Sequence, residues 1–264
     1  MKIARLEISH PEKILFPKKK ISKAGVARYY EAVAEKMLPY LKDRPLSLVR
    51  YPSGINKKGF FQKNASDYFP AYIKRIEIET DEGLNIQVIC NNKKSLIYLA
   101  NQNTVEFHIW LSKKDKLREP DKVVFDLDPP ENSFDKVKEG ALILKHYLSE
   151  KNCDPQLMTT GKKGLHVYYS IRRGKDFDQM KDKARGFAEE LVQLHPDLFT
   201  TQIRKNKREG KIFLDYLRNE YAQTSVCPYS LRANEAAGVA TPITWEELDG
   251  LQSADAFNYS TYIQ

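Results

Sequence analysis

Apolar positions along the chain follow two rhythms. Between residues 23 and 39, Val26, Tyr29, Tyr30, Val33 and Met37 recur at helical spacing, with Ser22 placed to cap the start and Pro39 to stop the end. This spacing predicts a helix over 23–39 whose apolar face is core. Short β-like runs follow at 46–50, 59–62, 73–78, 86–90, 96–99 and 105–110, separated by turn-rich pieces such as YPSGINKKG and ETDEGLN. A second series begins with a strand at Val123, continues through a helix over 134–150 behind Ser133 and a strand from Leu157, and turns on glycine. It then resumes with a strand over 165–171, a helix over 177–194 begun by Asp176, and a strand over 211–216. Neither a low-complexity linker nor a repeat interrupts the pattern. It predicts one compact domain over 1–264, of α/β or α+β class, around a central sheet.

Composition narrows the class of protein. Of 264 residues, 41% are hydrophobic and the mean hydropathy is −0.58. No apolar run reaches the roughly 20 residues a bilayer requires, which argues against a membrane role. The segment MKIARLEISH has neither the apolar stretch nor the cleavage site of a secretory signal, so a cytoplasmic protein is expected. Cys90, Cys153 and Cys227 have no paired spacing and are expected to be reduced and structural.

Charge adds a partner. The net charge is +8 with a pI near 9.1, which favours polyanions. It is also concentrated: Lys13, Lys18, Lys19, Lys20 and Lys23 form one cluster, and Arg204, Lys205, Lys207, Arg208 and Lys211 a second. Charge runs are commonly solvated loops. Two phosphate-binding sites are the functional alternative, and nearby chemistry decides between them.

That chemistry begins at DKVVFDLDPP. On a strand, Asp126 and Asp128 point to one face with Cα atoms about 6.5 to 7 Å apart, while Phe125 and Leu127 face the other. Pro129 and Pro130 cannot continue a central ladder, so the pair lies at the strand's end, where solvent and ligand enter. A D-x-D alone suggests only a cation site. Asp215, in KIFLDYLRN, ends another apolar strand and can complete a three-carboxylate centre. Such oxygen-rich sites suit Mg²⁺ or Mn²⁺, and a pair of ions about 3.5 to 4 Å apart supports phosphoryl or nucleotidyl transfer. His108, in TVEFHIWLSK, is either a core histidine or a ligand that would tilt the site towards Mn²⁺.

A candidate phosphate loop follows. In TTGKKGLHVYY, Gly161 and Gly164 let the backbone approach an anion, and Lys162 and Lys163 supply charge. The spacing is not that of a Walker A loop, and a strand follows it. His166 opens that strand within reach of a phosphate oxygen. Arg232 stands in a small-residue, apolar segment, where a guanidinium can clamp a triphosphate.

In this order and spacing, VFDLDPP, TGKKGLHVYY, IFLDYLRN and PYSLRANEAAGVATPITWEEL resemble the polymerase domain of bacterial DNA ligase D, a branch of the archaeo-eukaryotic primase superfamily. HPEKILFP, RPLSLVRYPSG, GFFQKN and EFHIWLSK resemble its N-terminal half, so the likeness runs from about Ser9 to Leu248. The resemblance implies an α+β, primase-type catalytic core with mixed sheets around a central cleft and flanking helices. It also implies a template-dependent polymerase that fills gaps and extends ends in non-homologous end joining. Such enzymes act with Ku and a DNA ligase, prefer ribonucleotides and work best with manganese.

Residue by residue, the resemblance makes Asp126, Asp128 and Asp215 the metal-binding catalytic carboxylates, with His108 able to join them. Thr160, Gly161, Lys163, Gly164 and His166 match the loop that holds the nucleoside triphosphate, with Lys162 where the family has a second glycine. Arg208 and Arg232 match basic residues around the triphosphate. Lys13 and Lys23 match lysines that recognise a downstream 5′-phosphate, and His10 stands where asparagine is often found. Phe60 and Phe61 match an aromatic pair that stacks on DNA bases. Alternation along a strand predicts that one of the two rings is buried and the other contacts DNA.

Two other functions fit parts of the pattern. A D-x-D phosphatase, with Asp126 as nucleophile and Asp128 as acid/base, leaves Asp215, TGKKGLH and the aromatic pair unexplained. A DNA end-binding and bridging module using Lys13 and Lys23, with a degenerate catalytic site, leaves the intact carboxylates unexplained.

Overall fold

The computed structural model describes residues 1–80, 83–130 and 133–263, so the tip of the ETDEGLN turn and Gln264, the last residue of the predicted domain, lie outside the described residues. Two six-stranded sheets dominate the described residues. The first runs in the order Thr224–Val226, Thr104–Trp110, Pro45–Arg50, Gly83–Ile89, Lys74–Thr80, with Phe60–Gln62 also paired to Pro45–Arg50. The second runs Phe199–Thr200, Ile212–Asp215, Lys122–Asp128, Leu165–Ser170, Gln156–Thr159, Thr241–Ile243. Its pairings are antiparallel except that between Phe199–Thr200 and Ile212–Asp215.

Strand alternation explains how each sheet is covered. Leu46 and Leu48 stand opposite Ile109 and Phe107 and pack with Tyr30, Val33 and Leu96 in one core, under the helices Lys23–Ala32, Ala34–Leu41 and Lys93–Asn101. On the other face, Ser47 stands opposite His108 and Val49 opposite Glu106. In the second sheet, Val123, Phe125, Leu127, Leu165 and Val167 join Leu144 of helix Phe134–Glu150 and Leu191 of helix Phe177–Leu194 in a second core. Asp126 and Asp128 therefore point away from that core. Trp110 packs edge-on against Phe177 and Tyr221, linking the end of the first sheet to the helical layer of the second.

Most predicted elements form, and the departures have physical reasons. The run 96–99 is helical, inside Lys93–Asn101, because Asn92 caps that helix by accepting the Ser95 N–H. A short apolar run buried all round does not by itself distinguish strand from helix. The helix expected over 23–39 is two helices, divided at Val33 (φ −88°, ψ 0°), and Pro39 lies inside the second rather than ending it. The Asp176 start is a full capping box with Gln179, and Ser133 caps its helix through Lys136 N. Among the described residues no helix is long and apolar enough to cross a membrane.

Candidate active site

Register builds the centre of the site. Asp126 stands directly opposite His166 on one neighbouring strand and Asp215 on the other, so Asp215, Asp126 and His166 form one row across three strands. His166 Nε2 lies 3.4 Å from Asp126 Oδ2, and its Nδ1 is 3.3 Å from Ser225 Oγ of the first sheet. A tight turn after Asp215, begun by the Leu217 N–H donating to Asp215 Oδ1 at 2.8 Å, brings Arg218 back over the row. Its Nε lies 3.6 Å from Asp126 Oδ2 and 3.5 Å from Asp215 Oδ2.

The three carboxyls differ in environment. Burial pushes Asp126 up, but the His166 imidazole, Arg218 and Arg232 outweigh it and hold the group below its ordinary range. Asp128 is raised by burial and by the Asp126 charge, against the pull of Arg208. Asp215 is raised by burial and by Asp126, with Arg218 opposing. Two carboxyls thus resist ionisation beside a third that is charged, and a cation relieves both effects.

A cavity of about 1130 Å³ opens on this row. It is lined by Asp126, Asp128 and His166 from the second sheet, His108 from the first, Thr160 with Lys162 to Gly164 from the loop, and Arg232. Thr160 to Gly164 connects strands Gln156–Thr159 and Leu165–Ser170. Within it the Thr160 hydroxyl accepts from Gly164 N at 3.2 Å and donates to Gly164 O at 2.9 Å, so the hydroxyl closes the turn. Both glycines are required by space: a Cβ on Gly164 would lie 2.3 Å from the Leu127 carbonyl oxygen, and one on Gly161 (φ +68°) 2.6 Å from the Val239 carbonyl carbon. Lys162 departs from the family's glycine without disturbing this turn, because its side chain leaves the loop and pairs with Glu106.

Glu106 and Arg218 are the residues sequence reasoning missed. Glu106 is 2% exposed and engages four groups: His108 Nε2 and Arg232 Nε, each at 3.2 Å, Lys162 Nζ at 3.0 Å and the Ala233 N–H at 2.9 Å. Against burial, the hydrogen bond from His108 and the charges of Arg232 and Lys162 hold its carboxyl well below the usual range, and burial in turn lowers His108. The available signal was a glutamate two residues before His108 in an otherwise apolar strand, which places both on one face. For Arg218 it was the Asp-x-x-Arg spacing at a strand end.

Arg208 does not line this cavity. It lies in an adjoining one of about 520 Å³ that shares Asp128 and Lys163 with the first and is also lined by Lys136, Lys205 and Lys211. Its guanidinium covers the Phe213 ring at 3.9 Å, with Nη1 3.5 Å from Asp128 Oδ2.

The N-terminal lysines divide between two places. Lys18 and Lys19 line the main cavity, with Lys18 paired to Glu235. Lys23 is 3% exposed, and its Nζ donates to Ser9 Oγ at 2.7 Å. Burial, with Lys13 and Arg50 nearby, lowers its pKa to about 8. The Lys23 N–H donates to the Lys13 carbonyl at 2.7 Å, which fixes the two residues side by side. His10 adopts φ +48°, a conformation that asparagine tolerates well.

The expectation that one phenylalanine ring is buried is corrected: Phe60 is 46% and Phe61 49% exposed. The strand Phe60–Gln62 pairs only with Pro45–Arg50, so neither ring has a layer to enter. Alternation instead sends them to opposite sides. Phe60 lies under the Arg50 guanidinium at 5.4 Å, and Phe61 meets the His108 ring edge-on at 5.4 Å.

The carboxylate set suits a hard divalent cation by its oxygen chemistry and by its unrelieved repulsion, and Arg218 already supplies one positive charge between Asp126 and Asp215. Among the described residues no three His, Cys, Asp or Glu side chains are arranged to coordinate one ion as they stand.

Two sheets that bring an acidic row, a glycine turn and a buried arginine together define an α+β core, and comparison with known proteins specifies which. Residues 22–264 match the family model for the LigD primase-polymerase domain, and the chain belongs to that family. It is 34% identical over 256 residues to the multifunctional non-homologous end joining protein LigD of Pseudomonas aeruginosa, and 31% identical over 261 residues to the bifunctional LigD of Bacillus subtilis. These alignments cover 97% and 98% of this chain but 30% and 42% of the relatives, so the chain spans well under half of their length. The polymerase domain of Mycobacterium tuberculosis ligase D, solved in complex with DNA, superposes with a TM-score of 0.90 at 28% identity, covering 97% of this chain and 92% of that one. The archaeo-eukaryotic primase-type fold is thereby established.

Proposed function

We propose that residues 1–264 act as one polymerase domain that adds nucleotides to a primer 3′-end opposite a template, filling gaps and extending broken ends during non-homologous end joining. The observation that carries this reading is the meeting of Asp126, Asp128 and His166, the Thr160–Gly164 turn and Arg232 in one cavity, with Asp215 beside Asp126 on the neighbouring strand. Asp126, Asp128 and Asp215, with His108 nearby, would hold the Mn²⁺ or Mg²⁺ ions, two in number, that activate the 3′-hydroxyl and neutralise the triphosphate.

The chain's own groups supply binding and orientation. Gly161 and Gly164 let the loop backbone come close to a triphosphate, Lys163 adds charge, and Arg232 presents a guanidinium already fixed by Glu106 and the Thr160 carbonyl. Such donors, held before substrate arrives, lower the barrier by stabilising charge as pyrophosphate departs. His166, held by Asp126 and Ser225, is aimed at the same space, and Arg208 serves from the adjoining cavity beside Asp128.

DNA would be held by the N-terminal segment around Lys13 and Lys23 and by the strand Phe60–Gln62 of the first sheet. Lys13 and Lys23 receive the 5′-phosphate of the downstream strand, supported by a buried Lys23 ammonium that donates to the Ser9 hydroxyl. Phe60 and Phe61 offer exposed rings for stacking on bases. Ribonucleotide preference and cooperation with Ku and a DNA ligase, which the sequence resemblance implies, complete the reading.

The test is extension on gapped DNA with and without a downstream 5′-phosphate, comparing ribo- and deoxynucleotides in Mn²⁺ and Mg²⁺. Synthesis stimulated by the phosphate is expected. No synthesis in any arm, with phosphate-dependent binding retained, would instead identify an end-binding and bridging module.

A further inference from the structure

We propose that Glu106 is a positioning residue for the incoming nucleotide: one buried carboxylate that sets the separation and orientation of the cations meeting the triphosphate. This rests on the polymerase reading above and assigns a determinant within the same cavity.

Glu106 makes no approach to the acidic row. Its two oxygens are fully occupied, Oε2 by His108 Nε2 and Arg232 Nε, and Oε1 by Lys162 Nζ and the Ala233 N–H. The four partners come from three segments. His108 belongs to the same strand, Lys162 to the glycine turn, and Arg232 with Ala233 to the segment after the strand Thr224–Val226. Arg232 Nη1 donates to the Thr160 carbonyl at 2.7 Å, and Asn234 Nδ2 to the Gly161 carbonyl at 2.9 Å, so the turn is tied to that segment as well. The strand of one sheet and the loop of the other are thus connected through a single anion.

The charge arrangement explains why a carboxylate stands there. Arg232, Lys162 and His108 converge on a cavity suited to a polyanion, and without Glu106 two permanent cations would repel and spread apart. Arg232 is 8% exposed, and a buried guanidinium deprived of its carboxylate is strongly destabilised. With Glu106 in place, Nε donates to the carboxylate and Nη1 to the Thr160 carbonyl, and among the described residues no hydrogen bond engages Nη2. Lys162 is the partner that comes from the turn itself. Its side chain is 42% exposed, so it can exchange Glu106 for an arriving phosphate while Arg232 stays anchored.

The experiment is an equilibrium titration of the protein with the fluorescent nucleotide MANT-ATP, alongside gapped DNA bearing a 5′-phosphate, for wild type, E106Q, E106D and K162A. E106Q, which keeps the shape and removes the charge, is expected to weaken MANT-ATP about tenfold or more while DNA affinity stays within about twofold. E106D, which keeps the charge, is expected to recover most of the loss. In extension assays E106Q should raise the nucleotide KM more than it lowers kcat. E106Q binding MANT-ATP like wild type overturns the proposal, as does an equal loss of nucleotide and DNA affinity with a matching loss of Tm in both E106Q and E106D. Should E106Q not fold, K162A carries the test from the exposed end of the tie. Weaker MANT-ATP binding at unchanged Tm supports the proposal, and unchanged binding overturns it. Wild-type protein that fails to bind MANT-ATP would instead overturn the polymerase reading on which the proposal rests.

Discussion

Asp126 and Asp215 stand directly opposite each other on antiparallel strands, and Arg218 reaches both carboxylates, at 3.6 and 3.5 Å. Opposed like charges on adjacent strands are unfavourable. A guanidinium placed across them offsets part of the repulsion, while burial first and the Asp126 charge after it keep Asp215 and Asp128 raised. The site therefore carries a conflict that suits it to binding cations and costs it stability.

That cost is measurable. A carboxyl with a raised native pKa binds its proton more tightly folded than unfolded, so stability falls as pH rises from the ordinary carboxylate value through the native one, and the penalty is fully present at neutral pH. Asp215→Asn keeps an oxygen for the Leu217 N–H and removes the charge. Its Tm at pH 7 is expected to rise by about 2 to 4 °C, corresponding to roughly 1 kcal/mol in a chain of this size, while primer extension is lost. Thermal melts at pH 4 and pH 7 check this, since the gain should shrink at the lower pH. A lower Tm at pH 7 would show that the Arg218 contact outweighs the repulsion.

Divalent cations should act in the opposite sense. Ligands that bind only the native state raise Tm with concentration. Mn²⁺ is expected to stabilise wild type, with chelator reversing the shift, and to do little for Asp126→Ala, which should also lose extension while still binding DNA. Differential scanning fluorimetry across a Mn²⁺ series, with gel-shift controls, measures both. An equal Mn²⁺ shift in Asp126→Ala would remove Asp126 from the metal site.

The acidic row was legible because apolar strands that end in aspartate leave few alternatives, and strand alternation fixes which face each carboxylate takes. The glycine turn was legible for the same local reason. Glu106 was not, because its importance comes from three partners lying 56 to 127 positions away or on a neighbouring face, and no local spacing encodes them. Arg208 was assigned to the triphosphate from its match to the family, yet side-chain packing over Phe213 turns it into the adjoining cavity. The run at 96–99 failed as a strand because burial on all sides erases periodicity, leaving only the Asn92 cap to mark a helix.

Lys23 provides a pH test on the DNA side. Its pKa of about 8 means that the ammonium is largely present at pH 7 and largely lost by pH 9. If this group recognises the 5′-phosphate, the ratio of affinities for 5′-phosphorylated and 5′-hydroxyl gapped DNA should fall as pH rises through about 8. Fluorescence anisotropy at pH 7, 8 and 9 gives that ratio directly. Lys23→Met should show a small ratio at every pH, and a pH-independent wild-type ratio would exclude Lys23 from phosphate recognition.

Phe60 and Phe61 should matter for DNA and little for folding, because both rings are about half exposed on a three-residue strand. Replacing either with alanine is expected to leave Tm nearly unchanged and to weaken gapped-DNA binding by about 1 to 3 kcal/mol if that ring stacks on a base. Their opposite orientations make the two variants separable. Phe61→Ala, beside His108, should also impair extension at saturating DNA, whereas the effect of Phe60→Ala, on the Arg50 side, should disappear when DNA is saturating.

Gly164 should be the position in the Thr160–Gly164 turn least tolerant of change. A Cβ there would sit 2.3 Å from the Leu127 carbonyl oxygen, a backbone atom of the strand that carries Asp126 and Asp128. Relief requires the turn to move away from that strand, which breaks the Thr160–Gly164 hydrogen bonds and shifts the Thr160 carbonyl that anchors Arg232. Gly164→Ala is therefore expected to abolish MANT-ATP binding while 5′-phosphate-dependent DNA binding, assigned to Lys13 and Lys23, persists. Gly210→Ala provides the contrast: nothing lies within 4 Å of its Cβ position, and the strain of φ +71° falls on an exposed turn, so nucleotide affinity should stay close to wild type. Parallel titrations of the two variants with MANT-ATP and gapped DNA measure the difference, and unchanged nucleotide affinity in Gly164→Ala would show that the turn does not hold the triphosphate.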